Sequence, residues 1–275
     1  MKPLFSLGPF TIHLFGVMIG IGVLVGLLLF IKEAKSRKIN HKLLLDGVIY
    51  SLLGGIIGAR IVYVVIYNPS YYIVNPIEIL FIQNGGLSIH GGIAGGLLVG
   101  FLFLKKHKLP IWETLDVVAP SLILAQGISR IGCDVFGGPI SSALPWGIDR
   151  GGELLHPAQA YEFMLDYLLF GYLFLRLKRP SYQGQVFLHY LIAYLAIRGI
   201  VEFTRINPLV VGQISVSHVM SLVGIITAIF IIRFRKKSRV INNVNTISKK
   251  EYIITGLSVL ILEVISLLLY YGLQG

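Results

Sequence analysis

Apolar residues run along this chain in long blocks parted by short polar intervals. Each block holds roughly 18 to 24 residues, the length a helix needs to cross a hydrocarbon core at about 1.5 Å per residue. The pattern predicts eight spanning helices, at about Leu14–Ile31, Leu43–Tyr67, Leu87–Leu104, Ile111–Cys133, Pro157–Leu175, Val186–Phe203, Ile214–Ile232 and Tyr252–Leu273. The expected fold is therefore an all-α polytopic membrane protein. It divides into a seven-helix body over residues 1–235, a basic cytoplasmic linker over 236–251 and an additional transmembrane helix over 252–275. The linker, rich in Asn and Lys, is the one stretch that reads as flexible.

Charge orients these helices. Of 24 Lys and Arg residues, 18 fall into four clusters that follow every second apolar block: Lys32–Lys42, Lys105–Lys108, Arg176–Arg179 and Arg233–Lys250. Such clusters mark cytoplasmic loops and place the N-terminus outside. The eighth helix returns the chain to the outside. A mean hydropathy of +0.78, with 55% hydrophobic and 13% charged residues, excludes an ordinary soluble domain. A net charge of +11 would suggest nucleic acid, but its confinement to short loops points instead to an anionic membrane face. Cys133 is the only cysteine, so no intrachain disulfide can form. The first apolar block is followed by lysines rather than a small-residue cleavage site, and reads as a spanning helix rather than a cleavable signal.

The two longest outer loops are elaborate where the cytoplasmic ones are plain. Residues 68–86 carry Tyr71, Tyr72, Ile77, Leu80 and Phe81, which suit a segment lying on the membrane surface. Residues 134–156 combine Pro and Gly turns with Trp146. Chemistry is accordingly expected at the outer face. Glycine pairs four apart, at Gly16/Gly20, Gly22/Gly26, Gly54/Gly58, Gly91/Gly95 and Gly92/Gly96, read mainly as close helix packing. Around His90 they also read as removing steric cover, so that a lipid or peptide can reach the imidazole.

Five arginines, Arg60, Arg130, Arg150, Arg198 and Arg205, are left unexplained by topology. Arginine near hydrocarbon is costly and is normally paired. Arg198, Glu202 and Arg205 share one helical stripe, so an ion pair there neutralises one arginine and leaves positive charge at the depth of His90. A phospholipid phosphate is the natural anion, and arginine binds it through a two-pronged fork. Arg60 reads equally as part of such a cluster or as a donor to backbone carbonyls. His90 reads equally as a general base or as a histidine bonded to a neighbouring helix.

The segments GARIVYV (58–64), GGLSIHGG (85–92), Arg130–Gly132, PWG (145–147), HPAQAYE (156–162), RGIVEFTR (198–205) and GQIS (212–215) occur together in this order. In them the chain resembles the bacterial prolipoprotein diacylglyceryl transferases, from the first helix to about residue 235. The resemblance implies a multi-pass enzyme of the bacterial plasma membrane whose active site faces the outer leaflet. The implied reaction moves diacylglycerol from phosphatidylglycerol to the lipobox cysteine of a prolipoprotein and releases glycerol phosphate, with no metal or cofactor. Its catalytic residues would be His90, Arg198 and Glu202. Arg130, Arg198 and Arg60 would bind phosphatidylglycerol. The chain departs from the family pattern at Phe15, Cys133, Phe136 and Gly138, where a phenol, two amides and a carboxylate are expected. These departures keep open a non-catalytic or altered-specificity lipid-binding paralogue. An intramembrane protease is disfavoured because Ser88 and His90 point to different helix faces. A transporter is disfavoured because the polar groups gather at one face rather than at the midplane. The eighth helix, with Glu263, lies outside the resemblance.

Overall fold

The computed structural model describes residues 2–7, 10–82, 85–140, 144–238 and 247–274. Among them stand eight long helices and one short one: α1 (Leu14–Ser36), α2 (His41–Tyr67), the short α3 (Pro69–Val74), α4 (Ile89–Lys106), α5 (Ile111–Arg130), α6 (Ala158–Lys178), α7 (Gln185–Glu202), α8 (Val216–Ser238) and α9 (Lys249–Gln274). Every expected spanning segment is a helix, and the chain is a multi-pass, all-α membrane protein. Seven of the eight are apolar enough to be recognised as spans by composition alone. The exception is α6, whose apolar run is interrupted by Gln159, Glu162 and Asp166, all buried.

Helix ends differ from expectation where turns intervene. The helix expected to reach Cys133 stops at Arg130. The helix expected to start at Ile214 starts at Val216, because Ile214 and Ser215 belong to a hairpin strand. Three two-stranded antiparallel hairpins were not anticipated: β1 (Pro3–Leu7) with β2 (Phe10–His13), β3 (Ile148–Arg150) with β4 (Glu153–Leu155), and β5 (Leu209–Val211) with β6 (Ile214–Ser215). The middle one turns through Gly151 and Gly152, at φ +70° and +87°. Two consecutive positive φ angles suit a tight hairpin turn and are costly for residues with a Cβ. Much of the linker, residues 239–246, lies outside the described residues.

The chain forms two compact units, one of Ile31–Thr114 and one of Met1–Phe30 with Leu115–Gly275. In the first, α2 and α4 touch through glycine. A Cβ added to Gly91 would lie 2.3 Å from the Gly58 carbonyl oxygen, and one added to Gly95 would lie 2.3 Å from that of Gly54. No side chain fits there, so the two backbones approach as closely as small-residue packing permits. This corrects the access reading around His90: Gly91 and Gly95 are spent on α2 rather than on opening a path to the imidazole. Gly22 and Gly26 likewise press on α5, at Ala125 and Ser121, whereas Gly16 and Gly20 meet nothing within 4 Å. The segment after α2 forms α3 and a 3-10 turn at Pro76–Leu80, leaving Ile73, Val74, Ile77 and Leu80 exposed.

In the second unit α9 lies along α6. Tyr167 Oη and Ser266 Oγ are 2.8 Å apart, and the rings of Phe163 and Tyr270 meet edge to face. Lys178 Nζ and Glu251 Oε1 pair at 2.7 Å at one end of the two helices. The other end gathers the start of α1, the ends of α5, α7 and α9, and the starts of α6 and α8. Its loops are sewn together by the Gly138 N–H donating to the Thr204 carbonyl at 2.7 Å, by the Gly137 N–H donating to the His156 carbonyl at 2.8 Å and by the His156 N–H donating to the Gly138 carbonyl at 3.0 Å.

Candidate active site

All five unexplained arginines have partners. Arg60, buried on α2, spends its five N–H groups on backbone carbonyls. Nε donates to Ile79 at 2.8 Å; Nη1 donates to Gly85 at 2.7 Å and to Gly86 at 3.0 Å; and Nη2 donates to Glu78 at 2.5 Å and to Phe81 at 3.5 Å. Gly85 and Gly86 hold φ +85° and +76°, and a Cβ on Gly86 would lie 2.7 Å from Arg60 Nη1. The glycine pair therefore lets two consecutive carbonyls face one guanidinium. Of the two roles expected for Arg60, the geometry displays carbonyl donation.

The same turn delivers His90. The Ser88 N–H donates to the Ala59 carbonyl at 3.0 Å, and Ser88 Oγ caps α4 by accepting from the Gly91 N–H. His90 follows in the first turn of α4, exposed, with no hydrogen bond to its imidazole among the described residues. A histidine tied to a neighbouring helix would show such a bond.

In the other unit, three arginines converge on one carboxylate. Glu162, on α6 and only 4% exposed in its side chain, lies 2.7 Å from Arg130 Nε, 2.7 Å from Arg198 Nη1 and 3.5 Å from Arg205 Nη1. Arg198 also pairs with Glu202 one turn along α7, at 3.2 Å. Glu202 Oε1 accepts from Ser215 Oγ at 2.7 Å and from Asn207 Nδ2 at 2.8 Å. Arg198 Nη1 makes an aligned hydrogen bond to Glu162, whereas the Arg130 contact with Glu162 Oε2 lacks hydrogen-bond alignment. Attraction between the charges survives that misalignment, so we count it as an ion pair with acceptor capacity left on Oε2. Arg205 is more deeply placed; burial and the neighbouring Arg198 lower its pKa. A guanidinium nevertheless stays charged at any physiological pH.

The structure thus brings together Arg130, Arg198 and Glu202 from the expected set and adds Glu162 and Arg205. Glu162 is not among the residues expected from the sequence, although HPAQAYE ends on it. Its signal was available: residues 159, 162 and 166 recur on one face of an otherwise apolar helix, and buried polar residues in a membrane need partners. The arrangement is a cationic cradle with three guanidiniums against two carboxylates. It is suited to an anion with several acceptor oxygens.

The departures also find places. Phe136 lies beneath the Arg150 guanidinium, 4.7 Å from its ring centre. Cys133 is a buried free thiol whose backbone carbonyl accepts from Gln159 Nε2 at 3.1 Å. The Gly138 N–H is bonded to Thr204, as described above.

Residues 2–234 match the family model described as prolipoprotein diacylglyceryl transferase. The chain is 37% identical to the phosphatidylglycerol--prolipoprotein diacylglyceryl transferase of Clostridioides difficile (strain 630), over 82% of this chain and 91% of that protein. It is 36% identical to the protein of that name from Limosilactobacillus reuteri (strain DSM 20016), over 89% of this chain and 94% of that one. Similarity to the same-named protein of Staphylococcus haemolyticus (strain JCSC1435) is also 36%, over 84% and 87%.

Proposed function

Because this chain belongs to the prolipoprotein diacylglyceryl transferase family, we propose that it transfers diacylglycerol from phosphatidylglycerol to the thiol of a lipobox cysteine in a prolipoprotein. In this reading the enzyme sits in the bacterial plasma membrane and works at the outer leaflet. The observation that carries it is the convergence of Arg130, Arg198 and Arg205 on Glu162. Such a cluster is costly in a membrane protein unless it serves an anion.

The acceptor thiol must ionise, since thiolate is the nucleophile. His90 accepts or guides that proton. The sulfur then attacks the glyceryl carbon that bears the phosphate oxygen, so a carbon–sulfur bond forms as the carbon–oxygen bond breaks. The electron pair departs with the oxygen, and glycerol phosphate leaves. Arg130 and Arg198 hold the phosphate and stabilise charge growing on the leaving oxygen. Glu202 fixes the angle of Arg198. Arg60, its N–H groups engaged by carbonyls, shapes the turn that carries His90 rather than holding the phosphate. Incubating purified protein with phosphatidylglycerol and a lipobox peptide tests the whole reading. A mass gain on the cysteine with release of glycerol phosphate is expected; binding without transfer would instead favour the non-catalytic paralogue.

Two graded expectations accompany this reading. Arg130→Lys keeps the charge but loses the planar fork, and should weaken use of phosphatidylglycerol by about 1–3 kcal/mol, the range for a charge-assisted hydrogen bond. Rates matching the parent across a lipid titration would move phosphate recognition away from Arg130. For topology, single cysteines in cells should react with an impermeant thiol reagent at residues 68–82 and 144–155 and resist it at 105–108. Labelling at position 106 from outside would invert the orientation.

A further inference from the structure

We propose that the last turn of α9 is a positioning element for Arg130, acting through Tyr270 and Gln274; this rests on the reading of Arg130 as a phosphate ligand. Arg130 closes α5, and its own carbonyl accepts from the Cys133 N–H at 3.2 Å, so residues 130–133 form one tight turn. What fixes Cys133 therefore fixes the backbone from which the Arg130 guanidinium projects.

The fixing groups come from α6 and α9. The Cys133 carbonyl accepts from Gln159 Nε2 at 3.1 Å and from Gln274 Nε2 at 3.3 Å, and Gln274 Nε2 also lies 3.4 Å from the Ile131 carbonyl. Tyr270 Oη donates to Gln159 Oε1 at 3.0 Å, which sets the amide so that its NH2 faces Cys133. Gln159, Tyr270 and Gln274 are all essentially inaccessible to solvent. Water has little opportunity to replace these bonds, so each lost partner leaves a buried polar group unsatisfied. Gln159 also stands one turn before Glu162 on α6. The same helix face therefore grips the Arg130 turn by its backbone and the guanidinium by its charge.

Three further bonds tie this corner to Trp146 and the β3–β4 hairpin. Arg150 Nη2 donates to the Gln274 carbonyl at 2.8 Å and to Gln274 Oε1 at 3.2 Å, and Tyr271 Oη donates to the Trp146 carbonyl at 2.8 Å. The matched family region ends at residue 234. This part of the clasp is thus supplied from beyond it, to the stretch that holds Cys133, Phe136 and Gly138.

Full-length variants distinguish positioning from general helix docking. Phosphatidylglycerol is titrated into purified protein, reading half-saturation by thermal stabilisation and, separately, KM and kcat with a lipobox peptide. Tyr270→Phe and Gln274→Ala should raise both half-saturation and KM about three- to tenfold, the worth of one or two buried hydrogen bonds, with any fall in kcat following from the same displacement of Arg130. Glu251→Gln, which loosens α9 at its opposite end, should shift neither. Parent-like half-saturation in Tyr270→Phe overturns the proposal. So does an equal shift in Glu251→Gln, which would make α9 a general stabiliser. Should Gln274→Ala not accumulate, Tyr270→Phe decides alone, since it removes only a hydroxyl. The binding readout stands even where the parent shows no transfer, so a failed transferase reading is not confused with a failed clasp.

Discussion

His90→Asn is expected to insert and accumulate like the parent chain, yet to lose about 10²–10⁴-fold in thiol alkylation at neutral pH, the usual contribution of a general base. The first half follows from packing. His90 is exposed in the first turn of α4, and its imidazole has no protein hydrogen bond among the described residues. The contacts that seat α4 belong instead to Ser88 at its N-cap and to Gly91 and Gly95 against α2. Asparagine keeps hydrogen-bonding capacity and leaves all of these untouched. The second half follows from proton transfer, because an amide cannot take the thiol proton. Raising the pH should recover part of the loss, as the acceptor cysteine ionises unaided near its own pKa of about 8.5. Activity is measured by mass gain on a lipobox peptide across pH 6.5 to 9.5. A well-folded variant with parental turnover at neutral pH would reduce His90 to a bystander.

Glu162→Gln should be the most damaging change to stability in the arginine cluster. The side chain is near-isosteric, so packing is conserved while one buried negative charge disappears. Arg130, Arg198 and Arg205 then face one another without the carboxylate on which all three converge, while Glu202 stays paired to Arg198 and Asp166 lies buried near Arg130. Removing one partner of a buried ion pair costs roughly 3–5 kcal/mol because the remaining charge is left uncompensated. The loss should appear as a lowered apparent melting temperature in detergent. Because the missing quantity is negative charge, millimolar sulfate or glycerol phosphate should restore part of the difference in the variant and affect the parent much less. Equal melting of variant and parent, or a deficit indifferent to anions, would mean that Glu162 does not balance the cluster.

The spanning helices were legible because hydrocarbon imposes a length and a composition that few other environments demand. Even α6, the least apolar, was found from its flanking basic cluster and apolar length. The hairpins were missed because strands of two to five residues carry almost no periodic signal. One clue did stand in the sequence: the Gly151–Gly152 pair is a hairpin turn by its chemistry. Arg198 with Glu202 could be paired from helical spacing. The three-arginine focus on Glu162 could not, because it joins α5, α6 and the end of α7, far apart in the chain. Arg60 illustrates the limit from the other side. Helical position alone left anion and carbonyl equally plausible, and only the folded turn at Gly85–Gly86 displayed which acceptors surround it. Gly91 and Gly95 misled for a related reason, since a missing side chain reads alike whether it makes room for a substrate or for another helix.

If the cluster around Glu162 holds the phosphate as proposed, its charge has a consequence for turnover. Counted over its ion-paired groups, three guanidiniums against two carboxylates leave one positive charge. A phosphodiester such as the headgroup linkage of phosphatidylglycerol carries one negative charge and brings the set to neutrality. The glycerol phosphate left after transfer is a monoester, whose second ionisation near pH 6 gives it about −1.5 to −2 at neutral pH. A cradle balanced for the diester is thus overfilled by the monoester, and the excess sits beside Glu162 and Glu202, which repel it. Electrostatic balance therefore favours ejecting the spent headgroup and admitting the next lipid, so the cycle gains a direction without any part of the protein having to move.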